Sequence, residues 1–280
     1  MTDLYHYNLT TNVPTDLLVD ANGLYARAWY ACKEDPYETV RAAFNSALAL
    51  ISPERVSAPV DRVMFCWDGG QKKAKERAPR PPEYEGTKPR LKEVLEAMLG
   101  AKNVRIGGYE ADDVLATAAY ASKADRVIVA SGDKDLQQLH GGHILYYDLN
   151  NRGFVSHREI VSHWHVRRPS HVAIALAIQG DSVDKIPGIR GWGPKKVEAI
   201  FEGIKSDMPF GVVLDLVVKQ IPEEKLGEFY EALELTLLNS SVPGVPDPSP
   251  LVLASEGKLV RFGLDGCASL YSRVVEQYDS

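Results

Sequence analysis

The sequence is poor in cysteine, and its few cysteines form neither a disulfide framework nor a zinc site. Cys32, Cys66 and Cys267 are odd in number and widely spaced, and no CxxC pair or Cys/His cluster occurs. Cys32 and Cys66 lie in apolar stretches, as buried free thiols do. We therefore expect a protein of a reducing compartment without structural zinc.

Long apolar runs are also missing. No stretch reaches the roughly 18 apolar residues that would indicate a membrane span. The N-terminal residues 1–16 are polar and lack the basic start and apolar core of a secretory signal. We expect neither a membrane location nor secretion. The 280 residues, 45% of them apolar, suffice for one large core with or without a small appendage.

The sequence also lacks an excess of positive charge. The net charge of −6, taken alone, argues against binding to nucleic acid. The charges are segregated, however, because the segment Lys72–Arg90 holds seven Lys or Arg and only three Glu. A basic patch beside an acidic pocket is therefore compatible with a negative chain.

Short apolar runs bounded by turn residues predict buried parallel strands. They are Leu17–Asp20, Arg62–Asp68 and Arg126–Ser131, the last followed by Gly132 and Asp133. Helical patterns lie between them, at Tyr37–Leu50, Lys88–Leu99 and Ala111–Ala121. This alternation predicts an α/β domain with a mainly parallel sheet flanked by helices. Ligands of such sheets bind outside the carboxyl ends of the strands, where each run leads into an aspartate.

The pattern becomes helical from about residue 157 onward. The predicted helices are His171–Gln179, Lys195–Phe201, Pro209–Gln220, Glu223–Leu238 and an amphipathic segment at Leu264–Tyr278. The stretch Ser241–Pro250 contains four prolines and is predicted to be a loop.

Acidic residues at strand ends and helix starts give the strongest functional signal. The nine are Asp20, Asp68, Glu110, Asp112, Asp113, Asp133, Asp135, Asp181 and Asp184. Each alone has a structural interpretation as a capping or turn residue, which we prefer for Glu110 or Asp135 taken singly. Grouped carboxylates repel one another and need cations. Hard oxygen ligands without Cys or His select Mg²⁺ or Mn²⁺, and two such ions can activate water for phosphodiester hydrolysis.

Five motifs follow one another in a recognisable order. They are LLVDANGLYARAWYA, VMFCWDGG, YEADDVLATAA, VIVASGDKDLQQL and IQGDSVDKIPGIRGWGPKKVEAI. Between about residues 17 and 205 the chain therefore resembles the 5′-nuclease family of phages and bacteria, flap endonucleases and 5′–3′ exonucleases that include the nuclease domain attached to bacterial DNA polymerase I. The resemblance implies a PIN-like α/β domain with a helix–three-turn–helix DNA-binding region.

The resemblance also implies roles for the acids. Asp20, Asp68, Glu110, Asp112 and Asp113 match the acids of the first metal region. The remaining acids, of which the later ones serve a second metal ion, match Asp133, Asp135, Asp181 and Asp184. Asp133 is in addition expected to be catalytic, and Arg27 matches the family's arginine seven residues after the first aspartate, with a DNA-binding role.

The stretch from Ile186 to Lys196 matches the family's hairpin. Its glycines permit tight turns, and its free N–H groups, with those of a helix starting near Pro194, can hold a phosphate. The predicted duplex-binding residues are Gly188, Arg190, Gly191, Gly193, Lys195 and Lys196. Such contacts would carry no sequence information. The resemblance further implies a K⁺ ion at the hairpin; an ordinary Gly/Pro loop is the structural alternative.

The segment Gly69–Arg90 resembles the family's arch around the single strand, and we expect it to be mobile when free. Tyr84, Arg77 and Lys88 fit the family spacing; Tyr84 is predicted to bind DNA, and Arg77 and Lys88 to be catalytic. Lys72 and Lys73 of this basic segment are also predicted to bind DNA. One departure stands out, because relatives carry lysine directly after the tyrosine, where this chain has Glu85. Either Lys88 or Arg77 substitutes for it, or the rate is low. A solvated charged linker is the structural alternative.

Together these features predict a monomeric, stand-alone 5′-nuclease in the cytoplasm of a bacterium or phage-infected cell. Its substrates would be DNA with a 5′ flap, 5′ overhang or nick, and its products a 5′-phosphate and a 3′-hydroxyl. We expect a nuclease domain at 1–160 with the arch at 69–90, a DNA-binding region at 161–240, and a tail at 241–280 that packs on the core. The alternatives are a PIN-type ribonuclease, which should lack the hairpin, and a DNA-junction binding protein with weak or lost catalysis, favoured by Glu85 alone.

Overall fold

A computed structural model describes residues 12–57, 59–70, 80–183 and 185–279. Within these ranges, no helix combines the length and the apolar character that crossing a bilayer requires.

A seven-stranded sheet lies at the centre of the chain. Its strands are β1 (Thr15–Asp20), β2 (Arg62–Trp67), β3 (Lys102–Arg105), β4 (Arg126–Ser131), β5 (Ile144–Asp148), β6 (Gly153–Phe154) and β7 (Ser249–Pro250). The order β3-β2-β1-β4-β5 is parallel throughout, whereas β6 pairs antiparallel with β5 and β7 with β2. The predicted mainly parallel sheet is confirmed, although β3, β5, β6 and β7 were not predicted.

The topology creates a crevice beside β1. From β1 the chain moves to β2 and β3 on one side, and then crosses to β4 and β5 on the other. The carboxyl ends of β1 and β4 therefore flank the point where the strand order reverses, which is where open parallel sheets bind their ligands. Every residue of β1 and of β4 is buried, in keeping with a sheet covered on both faces.

Helices cover both faces of this sheet. In the first part of the chain they are α1 (Ala21–Ala31), α2 (Pro36–Ile51), α3 (Pro53–Val56), α4 (Pro82–Leu99) and α5 (Ala111–Ala121). The first four pack on one face, and α5 packs on the other with the 3₁₀ turn Lys134–Leu139. The helix α1 was not predicted as such, because its apolar positions are interrupted by small and polar residues.

The predicted arch is partly helical. Helix α4 begins at Pro82, which suits a first helical turn, and not at Lys88 as the pattern predicted. The ring of Tyr84 is fully buried, 4.9 Å from the ring of Tyr25 and 5.4 Å from that of Trp29. The side chain of Tyr84 has no exposed surface in this structure, and its contact with DNA stays a prediction. Residues 71–79 of the arch lie outside the described residues.

The second part of the chain is helical and has its own apolar core. Its helices are α6 (His157–Trp164), α7 (Val172–Gln179), α8 (Pro194–Phe201), α9 (Phe210–Val218) and α10 (Leu226–Thr236). A hairpin joins α7 to α8. It is closed by paired backbone hydrogen bonds of 2.8 Å between Asp181 and Ile186.

The C-terminal residues return to the sheet. Strand β7 pairs with the start of β2, so the loop predicted over 241–250 is wrong at its last two residues. Pro250 is tolerated there because the strand lies at an edge. The final helices are α11 (Gly257–Arg261) and α12 (Ala268–Asp279). The Tyr278 hydroxyl accepts a hydrogen bond from Val60 N and donates one to the Ile51 carbonyl, which fixes α12 beside α2.

A buried ion pair joins the first two strands at the edge opposite the crevice. The Arg62 guanidinium donates two hydrogen bonds of 2.7 Å to the Asp16 carboxylate. Asp16 is only 1% exposed, and its third donor is Ser122 Oγ at 2.6 Å. Because this carboxylate is removed from water, loss of the Arg62 guanidinium would leave a buried charge uncompensated and destabilise the fold.

We expect Arg62→Met to lower the free energy of unfolding by about 2 kcal/mol, since it leaves a buried charge without its main partner. The matched control is Arg41→Met, which removes a half-exposed pair with Glu38 on α2 and should change stability by less than about 0.5 kcal/mol. Urea unfolding monitored by circular dichroism measures both. Equal effects of the two substitutions would contradict this account.

Candidate active site

A cleft of about 650 Å³ opens at the crevice, and acids from separate elements line it. Asp20 ends β1, Asp68 follows β2, Asp112 lies in the first turn of α5, and Asp133 follows β4. The structure therefore brings together four of the predicted acids, although they lie far apart in the sequence. A fifth acid, Asp148 at the end of β5, was not predicted.

Asp20 is held firmly at the floor of this cleft. It caps α1 by accepting a hydrogen bond of 2.9 Å from Gly23 N, and it accepts a second of 2.8 Å from Ser131 Oγ. Burial nevertheless raises its pKa to about 6, against the lowering effect of these two donors. The charges of Asp133 and Asp68 raise the pKa further. The carboxylates are thus close enough to repel one another.

Asp68 is positioned by the contact between the end of β2 and the start of α5. Its Oδ1 accepts a hydrogen bond of 3.0 Å from Ala111 N. The next residue, Gly69, exchanges backbone hydrogen bonds with Tyr109 and Gly108. A Cβ at Gly69 would lie 1.8 Å from the Ile106 carbonyl oxygen, so only glycine permits this approach. The motif WDGG thereby sets Asp68 beside the acidic first turn of α5.

Asp133 is fixed by a turn that folds back on β4. Its backbone N–H donates to Ser131 Oγ at 3.0 Å, and its Oδ1 accepts from Asp135 N at 2.9 Å. The hydroxyl of Tyr146 lies 3.0 Å from the carbonyl oxygens of both Ser131 and Asp133. Ser131 therefore orients Asp20 and Asp133 together.

The other predicted acids have different positions. Asp113 accepts a hydrogen bond of 2.9 Å from Asn239 N, and Asp135 is buried below the cleft in the 3₁₀ turn. Asp181 forms an ion pair of 2.5 Å with Lys134 and accepts from Val183 N at 2.8 Å, so it closes the hairpin. Neither these three nor Glu110 lines the cleft, and their assignment as metal ligands stays a prediction. Asp184 lies outside the described residues.

Glu110 is nevertheless a sign of cation chemistry. It is the N-cap residue of α5, two positions before Asp112, it is 3% exposed, and neither carboxylate oxygen has a hydrogen-bond partner in the described part of the chain. A buried carboxylate without donors is unfavourable unless it is protonated or a cation lies nearby. The donor set around the cleft therefore fits hard divalent ions.

The acids share the cleft without forming a closed cage. Among the residues that the structure describes, no three His, Cys, Asp or Glu side chains converge on a single ion position. Mg²⁺ usually keeps several waters and is bound through one or two carboxylates together with substrate phosphates. An open row of carboxylates fits that mode of binding better than a structural metal site.

Among the charged and imidazole side chains that line the cleft, sequence reasoning missed Asp148, Arg80, Lys134 and His163. Asp148 accepts hydrogen bonds of 2.7 Å from Asn150 N and Asn151 Nδ2, which order the turn between β5 and β6. The signal was present, because ILYYD at Ile144–Asp148 is another apolar run that ends in an acid. No comparable pattern marks Arg80 or His163.

In the described ranges, three Lys or Arg side chains line the cleft, and Lys88 is not one of them. They are Arg27, Arg80 and Lys134. Lys88 forms an ion pair of 2.8 Å with Glu85 and lies 4.9 Å from the ring centre of Tyr84. Arg80 lies 4.3 Å from the same ring centre and donates to the Tyr84 hydroxyl. Lys72, Lys73 and Arg77 lie outside the described residues.

The hairpin between α7 and α8 contains both buried and exposed parts. Gly188 has φ +61° and is buried, and a Cβ there would lie 2.3 Å from Gly180 N. Gly188 therefore has a packing role here, and its contact with DNA stays a prediction. The exposed hairpin residues are Arg190, Gly191, Lys195 and Lys196, whereas Gly193 is half-buried. Glu228 already accepts a hydrogen bond of 2.7 Å from Arg190 N.

The raised pKa of Asp20 predicts a pH dependence of stability in the metal-free protein. A carboxyl whose pKa is above its ordinary value of 3.8 contributes stability that is present below that value and is lost as the pH rises through about 6. Asp20→Asn, which cannot ionise, should therefore gain stability relative to the parent chain between pH 4 and pH 7, on the order of 2 kcal/mol. Urea unfolding in EDTA across this range measures it. A constant difference at all pH values would refute the assignment.

Comparisons with known proteins agree with this geometry. Residues 15–166 match the family model described as 5′–3′ exonuclease, N-terminal resolvase-like domain. The chain is 30% identical over 204 residues to the thermostable DNA polymerase I of Thermus aquaticus, covering 66% of this chain and 23% of that protein. It is 36% identical over 126 residues to the 5′–3′ exonuclease of Aquifex aeolicus, covering 44% and 42%. The chain thus spans less than half the length of either relative.

Solved structures show the same fold. The bacteriophage T5 5′-exonuclease with bound divalent metal ions (zinc) aligns with a TM-score of 0.60 and 16% identity, covering 94% of this chain and 98% of that chain. The catalytic core of Rad2 in complex with DNA substrate aligns with a TM-score of 0.63 and 14% identity, covering 96% and 93%. The resemblance seen in the motifs is confirmed, and the chain belongs to the 5′–3′ exonuclease family by its N-terminal resolvase-like domain.

Proposed function

We propose that this chain is a divalent-metal-dependent, structure-specific 5′-nuclease, acting as flap endonuclease and 5′–3′ exonuclease on DNA. The observation that carries the proposal is the row of four acids, Asp20, Asp68, Asp112 and Asp133, in one cleft of a chain from this family. The relatives add support, since the T5 enzyme was solved with DNA and metal ions and Rad2 with a DNA substrate.

These four acids would hold Mg²⁺ or Mn²⁺. Bound ions would supply positive charge at the reacting phosphate and lower the pKa of a water molecule. The chain itself prepares the position, because hydrogen bonds from Ser131, Gly23 and Ala111 fix the carboxylates before any ligand arrives. Such preorganisation avoids rearrangement during the reaction.

The cations of the cleft bind and orient the strand. Arg27 lines the cleft from α1, and Arg80 lines it from a position two residues before α4. Arg80 is held over the ring of Tyr84, so burial of that tyrosine serves to place a guanidinium beside the acids. We assign to Arg80 the part that a lysine at position 85 plays in relatives. Glu85, which is mostly exposed, neutralises Lys88 instead.

The hairpin would hold the duplex. Arg190, Lys195 and Lys196 are exposed on one short segment, and the first turn of α8 has no side-chain cap on its N–H groups. Positive charge at a helix start favours a phosphate, although Pro194 has no N–H and Lys196 N already donates to the Gly193 carbonyl at 2.8 Å. Trp192 stiffens this segment, since Lys196 Nζ lies 4.6 Å from its ring centre. Contacts of this kind position DNA without reading its sequence.

Two alternatives make different predictions. A PIN-type ribonuclease would cut RNA in preference to DNA, although it would not need the hairpin between α7 and α8. A junction-binding protein without catalysis would bind DNA and leave it intact. The four acids of the cleft disfavour it, because unneutralised carboxylates weaken DNA binding and have no other evident role.

The direct test uses a labelled 5′-flap duplex and a matched RNA, each with Mg²⁺ or EDTA. We expect cleavage of the DNA with Mg²⁺ only, and we expect Asp133→Asn to lower the rate by roughly a thousandfold or more with binding retained, because it removes a cleft carboxylate. The matched control is Asp125→Asn, an exposed aspartate at the opposite end of β4, which should keep full activity. Metal-independent or RNA-specific cleavage, or none, would overturn the proposal.

A second test asks whether the positive charge of Arg80 takes part in catalysis, with an arginine on the surface of α4 as the control. Arg80→Gln should lower kcat by roughly a hundredfold, since it removes a positive charge from the reacting phosphate. Arg90→Gln is the control, because Arg90 is paired with Glu93 on the surface of α4 and does not line the cleft. Single-turnover cleavage of the flap substrate measures both, and equal rates for the two variants would refute the role of Arg80.

Glu85→Lys completes this comparison. If Arg80 already supplies the charge, restoring a lysine after Tyr84 should change the rate by no more than about twofold. A tenfold or greater increase would mean that Glu85 marks a weakened site and that Arg80 does not compensate for it.

A further inference from the structure

A second cavity lies beside the acidic cleft. Its volume is about 290 Å³, and Arg27 lines both spaces. Its remaining walls come from α1, α2, α3 and the turn between β5 and β6. The polar lining residues are Arg27, Asn45, Ser46, Arg55, Tyr147 and Arg152. We name this space the arginine pocket.

The arginine pocket is strongly positive in a chain of net negative charge. Of the residues that the structure describes, three arginines and no aspartate or glutamate line it. None of the three forms an ion pair within 4 Å with a carboxylate of the described residues, in contrast to Arg41, Arg62 and Arg90. Burial lowers the pKa of Arg27, the charge of Arg152 lowers it further, and the charge of Asp148 in the neighbouring cleft opposes this lowering. Like charges held together in this way favour an anion between them.

The backbone around Arg152 is built to keep this residue in place. Arg152 has φ +55°, a left-handed conformation that is unfavourable for a side chain of this size. The turn is anchored to the active site, because Leu149 N donates to the Ser131 carbonyl at 3.0 Å and Asn150 Nδ2 to the Gly132 carbonyl at 2.9 Å. Strain of this kind persists where surrounding contacts impose it, often at functional sites.

The arginine pocket and the acidic cleft are lined by neighbouring residues of β5. Tyr147 lines the arginine pocket, and the next residue, Asp148, lines the acidic cleft. Burial raises the pKa of the Tyr147 hydroxyl, and the nearby charges of Arg55 and Arg152 oppose that rise. The guanidinium groups of both arginines therefore lie near this hydroxyl, which can itself donate to an anion.

We propose that the arginine pocket binds a phosphate of the nucleic-acid strand whose neighbouring phosphate lies in the acidic cleft. Guanidinium forks match phosphate oxygens in pairs, and three of them around one hydroxyl form a phosphate site. Arg27, shared by both spaces, would span the two phosphates. The proposal rests on the proposed function, because it takes DNA as the ligand of the cleft. The phosphate is either an internal diester or a 5′-terminal monoester.

The test compares two substitutions that make the same chemical change. Arg152→Asn removes the charge from the pocket, and Lys33→Asn removes one from an exposed residue that also has positive φ, at +52°. Asparagine accepts the left-handed conformation better than either residue, so both variants should fold at least as stably as the parent chain. A loss of binding confined to Arg152→Asn would therefore not reflect unfolding.

Binding of a fluorescent 5′-flap duplex is measured by anisotropy in Ca²⁺ and over a series of salt concentrations. Arg152→Asn should bind about tenfold more weakly, and the slope of log K against log salt should fall by about one. Arg55→Gln should act alike, and Lys33→Asn should match the parent chain. If the pocket variants and the control have the same affinity and slope, the proposal is wrong.

The same assay identifies the source of the phosphate. A 5′-terminal monoester predicts that the parent chain prefers 5′-phosphorylated over 5′-hydroxyl DNA and that Arg152→Asn loses this preference. An internal diester predicts equal binding of both DNAs and an equal loss in the variant. Cleavage by the parent chain in Mg²⁺ is tested in parallel. Normal cleavage with unchanged variant binding would reject the arginine pocket alone, whereas absence of DNA binding and cleavage would reject the proposed function with it.

Discussion

Burial of neighbouring carboxylates at the carboxyl ends of parallel strands is the constraint on which this structure depends. Asp20 shows it most clearly, because burial and the charges of Asp68 and Asp133 raise its pKa to about 6 although two donors stabilise the ionised form. Such a cluster persists only if the surrounding fold holds each acid in place. Ser131 bridges the ends of β1 and β4, and the Gly69 contact ties β2 to α5. The repulsion among these carboxylates makes the cleft receptive to cations.

Charge segregation explains how a chain of net charge −6 fits the role of a DNA-binding protein. Acids are concentrated in one cleft, and cations are placed on its borders, where Arg27, Arg80 and Lys134 line it. Aromatic packing assists this arrangement, since the buried ring of Tyr84 carries Arg80 on one side and lies near Lys88. The position of Glu85 then becomes intelligible as a partner of Lys88 and not as a defect of the cleft.

Sequence reasoning captured what depends on local pattern. Apolar runs ending in acids predicted β1, β2 and β4. Because ligands of parallel sheets bind at the carboxyl ends of the strands, the same pattern indicated Asp20, Asp68 and Asp133 as residues of one site, and all three line the cleft. Sequence reasoning failed where tertiary contacts determine the local structure or the partner of a residue. The segment Gly69–Arg90 was predicted to be mobile when free, yet from Pro82 onward it lies within α4 because Tyr84 and later apolar residues pack on the core. The ion pair between Lys134 and Asp181 joins residues that are far apart in the sequence. The buried contact of Gly188 with Gly180 depends on backbone geometry that no sequence motif indicates.

The central claim is that the carboxylates of the cleft bind the divalent ions on which catalysis depends. Anomalous scattering from crystals soaked in Mn²⁺ tests it most directly. The account predicts strong manganese peaks within the cleft lined by Asp20, Asp68, Asp112 and Asp133, and their loss or weakening in Asp20→Asn crystals. Manganese bound only elsewhere, or a cleft that stays without metal at saturating Mn²⁺, would contradict it.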